Sequence, residues 1–201
     1  KKKTIVLPLV PEYIGYADQG LEPDAFVGIP ATFTMFDNHT FKYNINFELL
    51  EDYLENHHNV GALCVSRPTN PTGNVLTNNE IHKLSDLAKK YDAYIVTDEV
   101  YEHIIYAPHK MVYMASLPGM RERTIVCGSL SKTYSLTGWR LGYTIAPAEI
   151  TERIKKVHDF LTVGAAAPLQ EAMVTGLKFG QDYYDGLTAK YTHLRDLMVK
   201  G

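Results

Sequence analysis

The run Gly61-Ala62-Leu63-Cys64-Val65-Ser66 decides the fold class, read with Ala93-Tyr94-Ile95-Val96-Thr97 and Thr124-Ile125-Val126-Cys127-Gly128 further along. All are short, rich in Val, Ile, Leu or Cys, and lack polar alternation, as expected of strands buried on both faces. Residues 4–7 read the same way, and residues 141–146 are a fifth candidate strand. Helical patterns fall between and after them. Thr77-Asn78-Asn79-Glu80 has capping-box spacing, in which the Thr hydroxyl and the Glu carboxylate satisfy each other's free amides. Ile81, Leu84, Leu87, Ala88 and Tyr91 then recur on one helical face. Residues 47–55 form a shorter acidic helix, and residues 149–161 are amphipathic through Ile150, Ile154, Val157 and Leu161. Pro168 opens a final helical stretch that runs on to the C-terminus. Strand and helix alternate, so the predicted class is α/β, a three-layer α/β/α arrangement around a mostly parallel sheet.

The bulk properties narrow the function classes. With 201 residues, 45% hydrophobic and 21% charged, the chain can bury a sizeable core. A net charge of -3 gives no electrostatic footprint for nucleic acid, and Lys1, Lys2 and Lys3 read as a solvated end. Cys64 and Cys127 lie in apolar runs and read as small buried thiols in a reducing compartment. The sequence shows no signal peptide and no apolar stretch near the roughly 20 residues that span a bilayer. A soluble, cytoplasmic protein is expected. His57-His58 has no partner at metal-ligand spacing and reads as a solvated helix end, so no metal site is expected.

In parallel sheets, ligands bind beyond the carboxyl ends of the strands. Polar, turn-rich segments stand at those ends here: residues 67–73 after the first run, Asp98 and Glu99 after the second, and residues 129–132 after the third. Together they offer an amine, a carboxylate, and hydroxyl and amide donors. That set is what pyridoxal phosphate requires: an amine for a Schiff base, a carboxylate against the pyridine nitrogen, and donors for the ring hydroxyl and the phosphate.

The segments Ser66-Arg67-Pro68-Thr69-Asn70-Pro71-Thr72-Gly73, Thr97-Asp98-Glu99-Val100-Tyr101-Glu102-His103 and the stretch from Gly128 to Gly142 resemble the class I/II aminotransferases of fold type I, in order and approximate spacing. By that resemblance Lys132 is the Schiff-base lysine and proton shuttle, and Ser129 and Arg140 are phosphate ligands. Arg suits a phosphate because its guanidinium binds it bidentately. Ser131 is a phosphate or packing residue. Asp98 matches the carboxylate that faces the pyridine nitrogen, and Tyr101 and Asn70 the donors to the ring hydroxyl. The segment Pro11-Glu12-Tyr13-Ile14-Gly15-Tyr16 resembles the one that supplies the aromatic ring stacked on the cofactor, with Tyr13 the candidate. Trp139 reads as structural.

The resemblance implies a pyridoxal 5'-phosphate-dependent aminotransferase acting on an amino acid and a 2-oxo acid, as a homodimer, with no nucleic-acid or membrane partner. It places the cofactor-binding large domain at residues 1–180 and the continuation of an inter-domain helix at residues 181–201. The family's N-terminal arm, first strand, Gly-Ser/Thr phosphate loop and small domain have no counterpart here, so the sequence reads as an internal portion of a longer enzyme. No arginine matches the family's substrate-carboxylate ligand; Arg67, Arg153 and Arg195 do not. Residues 7–50 look similar to valine–pyruvate aminotransferases, whereas the segment after Asp98 looks like the aromatic, aspartate and kynurenine enzymes. A carbon–sulfur β-lyase of the same fold would keep every motif, and the effector domain of an aminotransferase-like transcriptional regulator would need a basic helix-turn-helix segment upstream. Ile104-Ile105-Tyr106, and Leu187, Leu194 and Leu197 on the last helix, are the apolar residues expected to meet another surface.

Overall fold

The computed structural model describes residues 3–16, 25–37 and 40–200. Lys1, Lys2 and part of the segment after Tyr16 lie outside the described residues. Eight strands form: β1 (Thr4–Val10), β2 (Phe26–Pro30), β3 (Thr32–Met35), β4 (Phe41–Asn44), β5 (Val60–Ser66), β6 (Tyr94–Asp98), β7 (Thr124–Ser129) and β8 (Gly142–Ile145). Five α-helices accompany them: α1 (Phe47–Asn56), α2 (Asn78–Lys90), α3 (Ala148–Thr162), α4 (Ala167–Gly176) and α5 (Gln181–Lys200). The main sheet runs β2-β1-β5-β6-β7-β8, and β3-β4 is a separate antiparallel hairpin. Every pairing in the main sheet is parallel except β7 with β8. The α/β class with a mostly parallel sheet stands.

The pattern behind this is clearest at the centre. In β5 six of seven residues are buried, because elements cover both faces. Leu50 and Leu54 of α1 and Ile81, Leu84, Leu87 and Ala88 of α2 join Val6, Leu63, Val65 and Ile95 in one core, closed by Met114 and Met120. The capping box forms as the spacing predicts: Glu80 N bonds the Thr77 hydroxyl at 3.3 Å and Thr77 N bonds Glu80 Oε2 at 2.7 Å. Lys42 from β4 reaches the same carboxylate at 2.9 Å, fastening the hairpin to the start of α2.

Three expectations need correction. The final helical stretch is two helices, α4 with Pro168 in its first turn and α5, separated at residues 177–180. Cys64 is buried but Cys127 only partly so, since β7 lies nearer the thinly covered edge of the sheet. Leu187 is buried within the chain, leaving Leu194 and Leu197, with Met198 and Val199 beside them, as apolar side chains that α5 exposes. Strand β2 and the hairpin were not anticipated.

Candidate active site

Segments leaving β5, β6 and β7 line one cleft of about 1210 Å³. Asn70, Tyr101, Ser131 and Lys132 all face it. Asn70 lies near Tyr101 and draws its phenol down, but burial, and then the nearby Asp98 carboxylate, push the phenol above its ordinary value. Three lysine and arginine side chains line the cleft. Lys42 is paired with Glu80 and Arg195 with Asp196, whereas Lys132 has no ion-pair partner among the described residues. An amine in a cleft, free of a local carboxylate, is available to a ligand.

Asp98 ends β6, directly opposite Ser66 in the β5–β6 register. Its Oδ1 accepts from the main-chain N of Val100 at 3.1 Å and its Oδ2 accepts from the Tyr16 hydroxyl at 2.9 Å. Each oxygen keeps a further lone pair for another donor. Burial, and then the Asp98 charge, push the Tyr16 phenol far above its ordinary value, so it stays a hydrogen-bond donor. Tyr13 stands edge-on to Tyr16 with ring centroids 5.7 Å apart, more exposed than Tyr16 and within electrostatic reach of Tyr101.

The turn after β7 is a tightly bonded loop. Ser131 N bonds Ser129 Oγ at 3.1 Å, Leu136 N bonds the Ser131 carbonyl at 2.9 Å, and Leu130 N bonds the Leu141 carbonyl at 3.2 Å. Ser135 and Arg140 both adopt left-handed backbones, φ 56° and 55°, which non-glycine residues rarely do outside constrained sites. Ser129 and Arg140 flank this loop and do not line the cleft. The Arg140 guanidinium is exposed and donates to the Thr137 carbonyl at 3.0 Å. Asn70, Tyr101, Ser131 and Lys132 are thus gathered in the cleft, Asp98 and Tyr13 adjoin it through Tyr16 and Tyr101, and Ser129 and Arg140 sit on the loop that carries Lys132.

Three residues beside the site had been given no role in it. Tyr16, bonded to Asp98, stands three residues after Tyr13 in the same turn, a spacing that puts both rings on one side. Arg67 and Glu99 form a buried ion pair behind the cleft, with Glu99 also bonded by the Thr97 hydroxyl at 3.0 Å and Arg67 Nη1 donating to the Val112 carbonyl at 2.7 Å. Burial pushes the Glu99 carboxyl up against the pull of Arg67. Among the arginines considered for a substrate carboxylate, Arg67 is consumed by this pair and Arg153 pairs with Glu149 on the surface. Arg195 does reach the cleft rim, where it lies 4.8 Å over the Tyr106 ring.

The family profile "Aminotransferase class I and II" matches residues 31–201. The aspartate aminotransferase of Pyrococcus abyssi is 34% identical over 97% of this chain and 49% of its own length. The valine–pyruvate aminotransferase of Escherichia coli is 38% identical over 80% of the chain and 37% of its own length. The aromatic aminotransferase of Pyrococcus horikoshii superposes with a TM-score of 0.85 at 31% identity, over 100% of this chain and 52% of that one. The chain spans about a third to a half of the length of these relatives.

Proposed function

Because this chain belongs to the class I and II aminotransferase family, we propose that the protein carrying it is a pyridoxal phosphate-dependent aminotransferase that moves an amino group from an amino acid to a 2-oxo acid. The observation that supports this most is the unpaired Lys132 amine in a cleft that also holds the Asn70–Tyr101 pair. The residues present fit the cofactor. Lys132 supplies the amine that would hold it covalently, Asp98 has lone pairs free for a protonated pyridine nitrogen, and Tyr101 and Asn70 supply donors for the ring hydroxyl. Ser129, Ser131 and Arg140 are assigned to the phosphate, and Tyr13 to the ring face. When bound, the cofactor supplies an electron sink for the bond broken at the substrate Cα. Lys132 Nζ would hold the cofactor and would be the base placed to move a proton at the substrate Cα. Asp98 would keep the ring nitrogen charged, while Tyr16 fixes that carboxylate.

We assign residues 1–180 to the cofactor-binding large domain and residues 181–201 to the start of an inter-domain helix, in a cytoplasmic homodimer. No helix among the described residues is long and apolar enough to cross a membrane. The substrate pair is an amino acid and a 2-oxo acid; the relatives named above are described by aspartate, by valine with pyruvate, and by aromatic substrates.

Two measurements on the full-length protein test the reading. Borohydride reduction should fix pyridoxal phosphate on Lys132, seen by peptide mass mapping and lost in Lys132→Ala; attachment to another lysine refutes the assignment. Asp98→Asn should lower turnover at least about 100-fold with the fold retained. Near-normal turnover would reduce Asp98 to a strand-end cap.

A further inference from the structure

One carboxylate beside the site has no part in the assignments above. Glu12 opens the turn after β1, and its two oxygens receive three donors. The main-chain N of Ser66 reaches Oε2 at 3.0 Å, the Ser66 hydroxyl reaches Oε1, and the main-chain N of Tyr13 reaches Oε1 at 3.0 Å. A group that accepts three bonds and donates none is served by an ionised carboxylate. Burial opposes that charge and pushes Glu12 above its ordinary value, against the pull of the same three bonds.

What Glu12 grips is informative. Ser66 is the residue opposite Asp98 in the β5–β6 register, and the next main-chain N, that of Arg67, bonds the Asp98 carbonyl at 2.8 Å. At the other end of the turn, Tyr16 bonds the Asp98 side chain at 2.9 Å. Between them the Tyr13 ring folds back over Gly15 so closely that a Cβ there would lie 2.4 Å from ring carbon Cε1. The five-residue turn is therefore fastened at both ends to the strand-end pair Ser66–Asp98, with the Tyr13 ring held across its middle.

We propose that Glu12 is a positioning residue for the cofactor ring: by clamping the turn to Ser66 it sets where the Tyr13 ring and the Tyr16–Asp98 pair meet the ring. This rests on the pyridoxal phosphate reading. Glu12 does not touch the cofactor; it acts through Tyr13 and Tyr16.

Glu12→Gln is the sharpest probe. It keeps the size but sets an amide NH₂ against donors, and while the Ser66 hydroxyl can turn to accept, the two main-chain N–H groups cannot. In the full-length protein, Glu12→Gln should weaken pyridoxal phosphate binding about tenfold, the scale of one lost bond to a charged group. The visible circular dichroism of the bound cofactor should change with it, because that signal follows ring tilt, which a purely structural loss would not alter in the cofactor-saturated protein. Ser66→Ala, which keeps the main-chain donor, should change both in the same direction by less. Because Glu12 and Tyr16 hold one turn, Glu12→Gln combined with Tyr16→Phe should lose less than the product of the single losses. Unchanged affinity and dichroism in Glu12→Gln, or single losses that multiply in full, would overturn the proposal. If Glu12→Gln does not fold, Ser66→Ala decides alone: no change in affinity or dichroism overturns it. A wild-type protein that binds no pyridoxal phosphate would instead refute the function proposed above.

Discussion

Helices α2 and α3 have similar lengths and comparable amphipathic patterns, yet they sit in the chain in opposite ways. Six residues of α2 are buried, and its N-terminus is closed by a reciprocal capping box with Lys42 added. No residue of α3 is buried; Val157, Phe160 and Leu161 are exposed, Phe160 by 91%. The same division runs through the sheet, where β5 is buried almost throughout and β8 is exposed at every position. Amphipathicity states which face a helix can bury. Whether anything covers that face is a matter of topology: α2 follows a central strand, and α3 follows the edge strand β8.

If the packed half is where this chain stores its stability, the largest cost should come from the ion pair behind the cleft. Glu99→Ala leaves Arg67 charged in a site where it is about 2% exposed, and should cost about 3–5 kcal/mol in urea unfolding. Replacing both partners by apolar residues of similar volume should recover most of that loss. A small cost for the single change would show that water reaches the pair and that the half is less tightly closed than its burial implies.

A smaller effect should appear at the α2 cap, and it should depend on pH. Burial pushes Glu80 up, but the bonds from Thr77 and Lys42 outweigh it and hold the carboxyl below its ordinary value. A carboxyl lowered on folding adds stability at neutral pH, which is lost as the pH falls through the folded value. Glu80→Gln should therefore cost about 1 kcal/mol at pH 7, with the gap to wild type closing in acid. A gap that stays constant from pH 7 to about pH 3 would mean that the charge is irrelevant to the cap.

The smallest effect belongs to α3. Phe160→Ser should change the stability of this 201-residue chain by no more than about 0.5 kcal/mol, since the ring touches little that unfolding would expose. A loss above about 1.5 kcal/mol would erase the contrast between the halves.

What could be read in advance follows the same division. The buried strands announce themselves because unbroken apolar runs have few other uses, and the residues at their carboxyl ends, Asn70, Asp98, Tyr101 and Lys132, inherit their placement from the sheet. Strands β3 and β4 are four residues each, too short for alternation to register, although Phe33 and Phe41 lie on one side of the hairpin with rings 6.3 Å apart. The break between α4 and α5 hides because Leu177 and Phe179 carry the apolar pattern across it, leaving Gly180 as the main signal. The bond from Tyr16 to Asp98 joins residues 82 apart in sequence, and no local pattern specifies such a pairing. The roles given to Ser129 and Arg140 came from resemblance alone, and their positions on the loop rather than in the cleft were beyond any periodicity.

The antiparallel return of β8 has one more consequence. A parallel neighbour would need a crossover of a dozen residues or more, usually through a helix. Here Ser129 and Gly142 are register partners, so everything between them is a single closed ring of chain, small enough that its ends never part while the two strands stay zipped. Lys132 and Arg140 are passengers on that ring. Any motion that carries the β7–β8 pair as a unit carries both of their backbones together, much as two tools bolted to one bracket travel with the arm.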